Sequence, residues 1–311
     1  MNLIFCGTPR FAVPTLEKLH AEKFQIDLVV TNPDEPAGRG YETKSPPVKE
    51  SAASDGLAIF QPQKLKDPAT REFLTRYHPD AIIVVAYGHI IPPWMIELPR
   101  LGCINLHASL LPRYRGAAPI PWAIVRGEHT TGLSTMLIDA GLDTGDILLQ
   151  RETEIRDDDN TETLSQRLSI LGADLMVETL KGLENGEIHR RPQDAKLATL
   201  APILKKEDGW INWSLSAEEI ARRVRGLRPW PGAFTTFRGT HLNLWLAAPA
   251  PGPEPEHLAV GTIMVDGGKL LVECGGKSIL EVKELQLAGR KRIPARDFLN
   301  GVRLKPDEKL G

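Results

Sequence analysis

DAIIVVAYG, residues 80–88, is an almost unbroken apolar run, rich in Ile and Val and short enough for a strand buried on both faces. The same texture occurs in NLIFCG (2–7), IDLVV (26–30) and CINLHA (103–108). Between these runs lie FAVPTLEKLHAEK, PPVKESAASDG and PATREFLTRYHPD, whose apolar spacing and flanking Pro or Gly suit crossover helices. This βαβ rhythm predicts an α/β fold with a Rossmann-like, mostly parallel sheet covered on both faces. Ligands are then expected beyond the carboxyl ends of the strands.

Further along, LSTMLIDAGLDTGDILLQRETEI (133–155) breaks the rhythm, with two β-like runs flanking a Gly/Asp loop, as in a hairpin added to a sheet edge. TETLSQRLSILGADLMVETLKGLENG (161–186) reads as a long amphipathic helix opened by Thr161 and closed near Gly186. At 311 residues the chain exceeds the usual size of one domain. We expect a catalytic domain over 1–188, a mixed polar linker over 189–208 and a second domain over 209–311. After one helix-like segment, SAEEIARRVRGL, the second domain has short β-like runs separated by Gly, Pro and charged turns. That pattern predicts a small antiparallel β-barrel of the OB-like kind.

Composition narrows the function classes. The chain is 41% hydrophobic and 25% charged with a net charge of −2, and it has no apolar run long enough for a membrane span. MNLIFCGTP lacks the marks of a secretory signal, so the cytoplasm is the expected location, and a monomer the expected state. Cys6, Cys103 and Cys274 are far apart and read as buried thiols, and the eight histidines are scattered, so no metal site is predicted. From Lys205 onward there are 17 Lys and Arg against 13 Asp and Glu, a net of +4, against −6 for the first 204 residues. Such an asymmetry fits either an anionic partner for the basic half or ordinary surface variation.

The GTPRF turn after the first strand matches neither the GxGxxG fingerprint nor the phosphate loop, so no NAD or other dinucleotide is expected. Asn105 and His107 are two apart, which on a strand puts them on one face, at the end where open α/β sheets hold ligands. By itself a histidine there is more often structural. The loop DAGLDTGD (139–146) changes the balance: Gly141 and Gly145 let the backbone fold back and carry Asp143, an acid able to orient or charge an imidazole. No GxSxG elbow occurs, and neither Ser109 nor Cys103 has a clear adjacent base, so a covalent acyl enzyme is not preferred. Direct transfer fits better, with an amine attacking a carbonyl whose developing oxyanion is stabilised by protonated His107 and the Asn105 amide.

NLHASLLPRYRGAAPI followed by DAGLDTGDIL resembles the signature of the folate-dependent formyltransferases. AGRG (37–40), SPPVK (45–49), VVAYGHIIP (84–92) and INWSLSAEEIARRVRGLRPWPGAF are similar to the branch acting on methionyl-tRNA, and together they span nearly the whole chain. The resemblance implies that Asn105, His107 and Asp143 are the catalytic trio. It implies a binding segment of Ser109, Leu110, Leu111 and Pro112 for 10-formyltetrahydrofolate, with the backbone around Val85, Tyr87, Gly88, Ile91 and Asp139 lining the pterin pocket. It also implies initiator methionyl-tRNA as the partner, with Arg39 in a loop that enters the acceptor end.

Lys205, Lys206, Arg222 and Arg223 are candidate phosphate contacts, which the AGRKR run (288–292) could extend. The plainer reading makes Arg222, Arg223 and Arg225 the exposed face of a helix, with Trp230 packed against the barrel. Rival readings are a formyltransferase acting on a glycinamide ribotide or an amino sugar, a formyl-folate hydrolase, and a nucleic-acid-binding module without catalysis.

Overall fold

A computed structural model describes residues 1–37, 42–251 and 258–311. Its strands begin where the apolar runs do: β1 (Asn2–Gly7), β2 (Gln25–Val30), a small antiparallel pair β3 (Glu35–Ala37) and β4 (Glu42–Lys44), then β5 (Ile59–Phe60), β6 (Ala81–Val85) and β7 (Cys103–His107). Helices α1 (Val13–Ala21), α2 (Pro47–Ser54), α3 (Pro68–Thr75) and α4 (Pro93–Ile96) fall between them. Each of these four helices carries Pro in its first turn, where the missing N–H costs nothing.

The main sheet has seven strands among the described residues, in the order β5–β2–β1–β6–β7–β8–β9, with β8 (Thr130–Leu137) and β9 (Ile147–Glu154) as the closing hairpin. From β5 to β7 all pairings are parallel, whereas β7–β8 and β8–β9 are antiparallel. Leu3, Ile4, Phe5, Ile82, Ile83 and Ile104 are wholly buried, which is why these strands read as continuous rather than alternating apolar runs. Each such side chain contributes about 1.5–3 kcal/mol. The order turns back between β1 and β6, where a parallel sheet opens a crevice for ligand. The two strands approach closely there: a Cβ on Gly7 would lie 3.0 Å from the Val85 carbonyl oxygen and 2.9 Å from Cβ of Ala12.

By contact the chain divides into one unit of residues 1–117, 130–154 and 165–201 and another of 118–129, 155–164 and 202–311. Residues 189–201, whose composition reads as a linker, are bonded into the first unit. Arg191 and Ile147 exchange backbone hydrogen bonds of 2.9 Å each way, and Leu200 forms a parallel bridge with Arg115. Composition reports polarity and turn residues; it does not report where backbone groups find partners.

The second unit contains α5 (Pro119–Val125) and the start of α6 (Thr161–Glu184), whose side-chain cap is Asn160 rather than Thr161: Asn160 Oδ1 accepts from the Glu162 and Thr163 amides at 2.8 and 3.1 Å. α7 (Ala217–Gly226) starts with a capping box between Ser216 and Glu219. Strands β10 (Ala233–Phe237), β11 (Thr240–Ala250), β12 (Ile263–Asp266), β13 (Lys269–Cys274) and β14 (Ser278–Leu287) form an antiparallel sheet ordered β10–β11–β14–β13–β12, with β15 (Ile293–Pro294) on β14 ahead of α8 (Ala295–Gly301).

Residues 308–311 join the two ends of this sheet. The Gly311 amide donates to Thr236 O at 3.0 Å, Leu310 to Gly261 O at 2.9 Å, and Ile263 back to Glu308 O at 2.8 Å. Edge backbone that would otherwise stand open is thereby satisfied. Alternate residues of β11 and β14, among them Leu242, Leu244, Leu280, Val282 and Leu285, fill the interior with Ile220 and Val224 of α7.

Candidate active site

β7 delivers Asn105 and His107 to one face at its carboxyl end, with Asn105 in register between Val84 of β6 and Met136 of β8. The chain then makes a tight loop tied to the hairpin behind it. Ser134 Oγ donates to Ser109 O at 2.7 Å and accepts from the Leu111 amide at 3.0 Å, while Gln150 Nε2 donates to Leu111 O at 2.9 Å. Within the loop Ser109 Oγ donates to Arg113 O at 2.6 Å, and the Leu111–Pro112 peptide is cis. On the other flank the Arg115 amide donates to Thr199 O at 2.8 Å and the Tyr114 amide to Thr199 Oγ1 at 2.9 Å. Gly116, at φ +117°, passes so close to Ala201 that a Cβ would come within 2.7 Å of its carbonyl oxygen. The loop is therefore braced on both sides.

This bracing aims one carbonyl at the histidine. His107, only 6% exposed, has Nε2 2.9 Å from Tyr114 O; a carbonyl only accepts, so Nε2 carries a proton. The other ring nitrogen, Nδ1, lies 3.7 Å from Asp143 Oδ2. That carboxylate oxygen also accepts the Gly116 amide at 2.7 Å. A proton placed on Nδ1 would face a carboxylate already fixed by a backbone donor, so the ring can carry positive charge with both N–H groups directed at oxygen.

Asp143 reaches this position in a left-handed backbone conformation, φ +51°, which Asp tolerates better than most non-glycine residues. Asp139 Oδ1 accepts from the Gly141 amide at 3.0 Å and the Thr144 hydroxyl at 2.7 Å, closing the loop on itself. At Gly145 a Cβ would fall 1.9 Å from Leu137 O, so glycine alone fits there.

Two residues absent from the sequence-based site complete the geometry. Gln193 donates through Nε2 to Asp143 O at 2.9 Å and Gly145 O at 2.8 Å, and its Oε1 accepts from Arg115 Nε at 3.1 Å and from a terminal guanidinium nitrogen at 2.7 Å. Arg115 stands in the RYRG segment and is visible in the sequence as part of the motif. Gln193, in HRRPQDAK, carries no signal that would single it out.

Residues 1–180 match the model of the formyl transferase family, and residues 203–303 match that of the formyl transferase C-terminal domain. A protein of Koribacter versatilis named methionyl-tRNA formyltransferase is 54% identical over all of this chain and 99% of its own length. The chain belongs to the formyl transferase family. Among solved structures, the fold is similar to that of a methionyl-tRNA formyltransferase from Clostridium thermocellum (TM-score 0.58, 19% identity, 92% of this chain and 98% of that one). It is also similar to an N-formyltransferase from Helicobacter canadensis solved with folinic acid and dTDP-3-aminofucose (TM-score 0.67, 17% identity, 90% and 98%).

Within this formyl transferase the segment Ser109–Pro112 is the braced loop just described, with Ser109 and Leu111 buried. Val85 ends β6 and is buried; the chain then leaves the sheet through Ala86 (φ +47°) and Gly88 (φ +86°), both exposed. Tyr87 and Ile91 turn inward, and the Tyr87 carbonyl accepts the Thr8 hydroxyl at 3.2 Å. Burial also holds the Tyr87 phenol well above its usual pKa. Side chains of this turn thus serve the core and leave exposed backbone at the mouth of the crevice.

Arg39 lies outside the described residues. Asp34, just before β3, accepts from Gln61 Nε2 at 2.8 Å and pairs with Lys49 Nζ at 2.6 Å; these contacts hold the carboxyl below its usual pKa. Lys205 and Lys206 are exposed. The arginines of α7 are not a solvated face: Arg222 pairs with Glu218 and packs over Gly127, Arg223 donates to Asp208 O at 2.8 Å, and Arg225 donates to Asp159 O at 2.7 Å. Trp230, expected to pack on the barrel, is 57% exposed, beyond a cis Arg228–Pro229 peptide and before a cis Trp230–Pro231 peptide. Among the described residues no group of three or more His, Cys, Asp or Glu is placed to hold a metal ion, and no helix is long and apolar enough to cross a membrane.

Proposed function

We propose that this chain moves the formyl group of 10-formyltetrahydrofolate to the free α-amino group of methionine esterified to initiator tRNA, supplying the formylated initiator for translation. The observation that carries the reading is the His107–Asp143 pair at the end of β7, in a chain 54% identical along its full length to a protein named methionyl-tRNA formyltransferase.

In this reading the amine lone pair attacks the formyl carbon, and the carbonyl electrons move onto oxygen. His107, positively charged beside Asp143, and the Asn105 amide stabilise that oxyanion. Collapse of the tetrahedral species breaks the bond from carbon to the folate nitrogen. The proton lost by the amine, with Asp143 as its acceptor directly or through water, is returned to that nitrogen, so no enzyme adduct forms. The folate is a co-substrate: its formyl-bearing end lies by the Ser109–Pro112 loop, and its pterin edge meets backbone groups of residues 85–91 and 139–144. That exposed backbone at Ala86 and Gly88 fits a ring with polar edges.

Lys205 and Lys206 contact tRNA phosphate, with Arg39 at the acceptor end, and the enzyme works as a cytoplasmic monomer. The test is formylation by the purified chain of initiator and elongator Met-tRNA side by side, with 10-formyltetrahydrofolate as donor. Formylated initiator Met-tRNA is the expected product, and its absence would sink the reading.

A further inference from the structure

We propose that Gln193 is a positioning residue for the reaction: its amide locks the loop carrying Asp143 to the loop carrying the Tyr114 carbonyl, and so sets the two oxygens that face His107. This inference rests on the formyl-transfer reading above. Gln193 lies in the stretch between the two family matches, which end at 180 and resume at 203.

All four of its hydrogen-bonding directions are committed. Guanidinium nitrogen can only donate and peptide carbonyl can only accept, so Oε1 must face Arg115 and Nε2 must face the carbonyls of Asp143 and Gly145. The amide therefore has one possible orientation. Arg115 is itself 9% exposed, and its backbone is held by Thr199 and Leu200, which follow Gln193 after one short helical turn over Ala195–Leu197. One end of the relay is thus rigid.

The other end needs holding. Asp143 sits at φ +51° at the tip of its loop, and its carbonyl is one of the two that Gln193 grips. Its carboxylate bonds Gly116, the residue after Arg115. Gln193 and Gly116 therefore hold Asp143 from its backbone and its side chain at once. Loss of the amide donor frees the first of these and lets Oδ2 drift from Nδ1 of His107, the kind of small displacement that costs rate without costing binding.

Gln193→Glu isolates this role. It keeps shape and the Arg115 pairing, but sets a carboxylate against two carbonyl oxygens. The full chain carrying Gln193→Glu or Gln193→Ala is assayed with 10-formyltetrahydrofolate and Met-tRNA, counting active molecules by folate-binding stoichiometry. We expect kcat to fall about 10²-fold in Gln193→Glu, with KM for folate within about threefold of the unaltered chain. We also expect its rate relative to the unaltered chain to climb as pH is lowered, because a protonated carboxyl regains one donor. Gln193→Ala should lose rate without that pH-dependent recovery.

Equal kcat for Gln193→Glu and the unaltered chain, or a loss confined to KM, overturns the proposal. So does a pH profile parallel to the unaltered chain. Failure of the unaltered chain to formylate Met-tRNA would instead sink the underlying reading, so the two failures are distinct.

Discussion

The polar groups around His107 and the arginines of α7 make opposite uses of charge. At the end of β7, where an open α/β sheet holds its ligands, an imidazole 6% exposed meets one carbonyl oxygen and one carboxylate that are each fixed from elsewhere. Along α7, Arg222, Arg223 and Arg225 deliver their guanidinium groups to Glu218 and to the carbonyls of Asp208 and Asp159 in the same unit, and burial lowers the Arg225 pKa against the pull of nearby Asp157 and Asp159. Three positive charges there secure a helix. The contrast shows that charge alone does not mark a functional surface; both groups find partners within the chain, and what differs is that His107 stands at the carboxyl end of a strand while the arginines lie along a helix packed in its own unit.

His107→Ala separates the two sites most strongly. It should lower formyl transfer by about 10³-fold while costing about 2 kcal/mol or less of stability, since one hydrogen bond and a small buried ring are lost. Normal turnover in a folded variant would remove the histidine from the chemistry. Next in size, paired Lys205→Ala and Lys206→Ala should weaken tRNA binding and flatten the slope of log K against log salt by about 1–2. Arg223→Ala should instead leave that slope alone and cost about 1–2 kcal/mol in a denaturant melt, because it deserts the Asp208 carbonyl. A reversed pattern would restore α7 as the phosphate surface and exonerate the lysines.

How much of this was legible in the chain follows from the same distinction. Strands β1, β2, β6 and β7 could be read from their apolar runs because burial on both faces is a local demand on composition. That Asn105 and His107 share one face of a strand, and that Asp143 sits in a tight Gly-bounded loop, could be read because a strand's two-residue period and a glycine turn are local too. The grip of Gln193 could not, since it depends on a backbone path that returns fifty residues later to carbonyls of residues 143 and 145. Arg223 and Trp230 were misread for a related reason. A helical arginine looks exposed until Asp208 is known to lie beside it, and an aromatic residue looks buried on composition alone, whereas Trp230 is 57% exposed.

A smaller effect tests the barrel side. Glu273 on β13 is 4% exposed, and its Oε2 has no partner among the described residues; burial raises its pKa. For an acid held above its unfolded pKa, the folded state binds the proton more tightly, so folding is penalised at neutral pH and the penalty fades as pH falls toward 4.5. Glu273→Gln should therefore stabilise the chain by about 1 kcal/mol at pH 7, and the gain should shrink as pH is lowered toward 5 in paired urea melts. A gain that does not change with pH would show that the carboxylate is not strained by burial.

Cys103 distinguishes direct transfer from a covalent route. Cys103 starts the strand that ends in His107, so it is the thiol nearest in sequence to the candidate site, and a covalent route would have to consider it first. Its Sγ, however, is fully buried and donates to Met95 O at 3.2 Å, and burial pushes its pKa up to about 12. At pH 7 a thiol of that kind is thiolate about 10³-fold less often than a free cysteine, which leaves it inert as a nucleophile. Cys103→Ala should accordingly keep kcat within about threefold, and native protein should resist alkylation at this position until it unfolds. If the variant lost turnover as His107→Ala does while still folding and binding folate, the direct transfer of formyl from folate to amine would give way to a thioester route. The imidazole of His107 would then serve a neighbouring sulfur rather than the incoming amine.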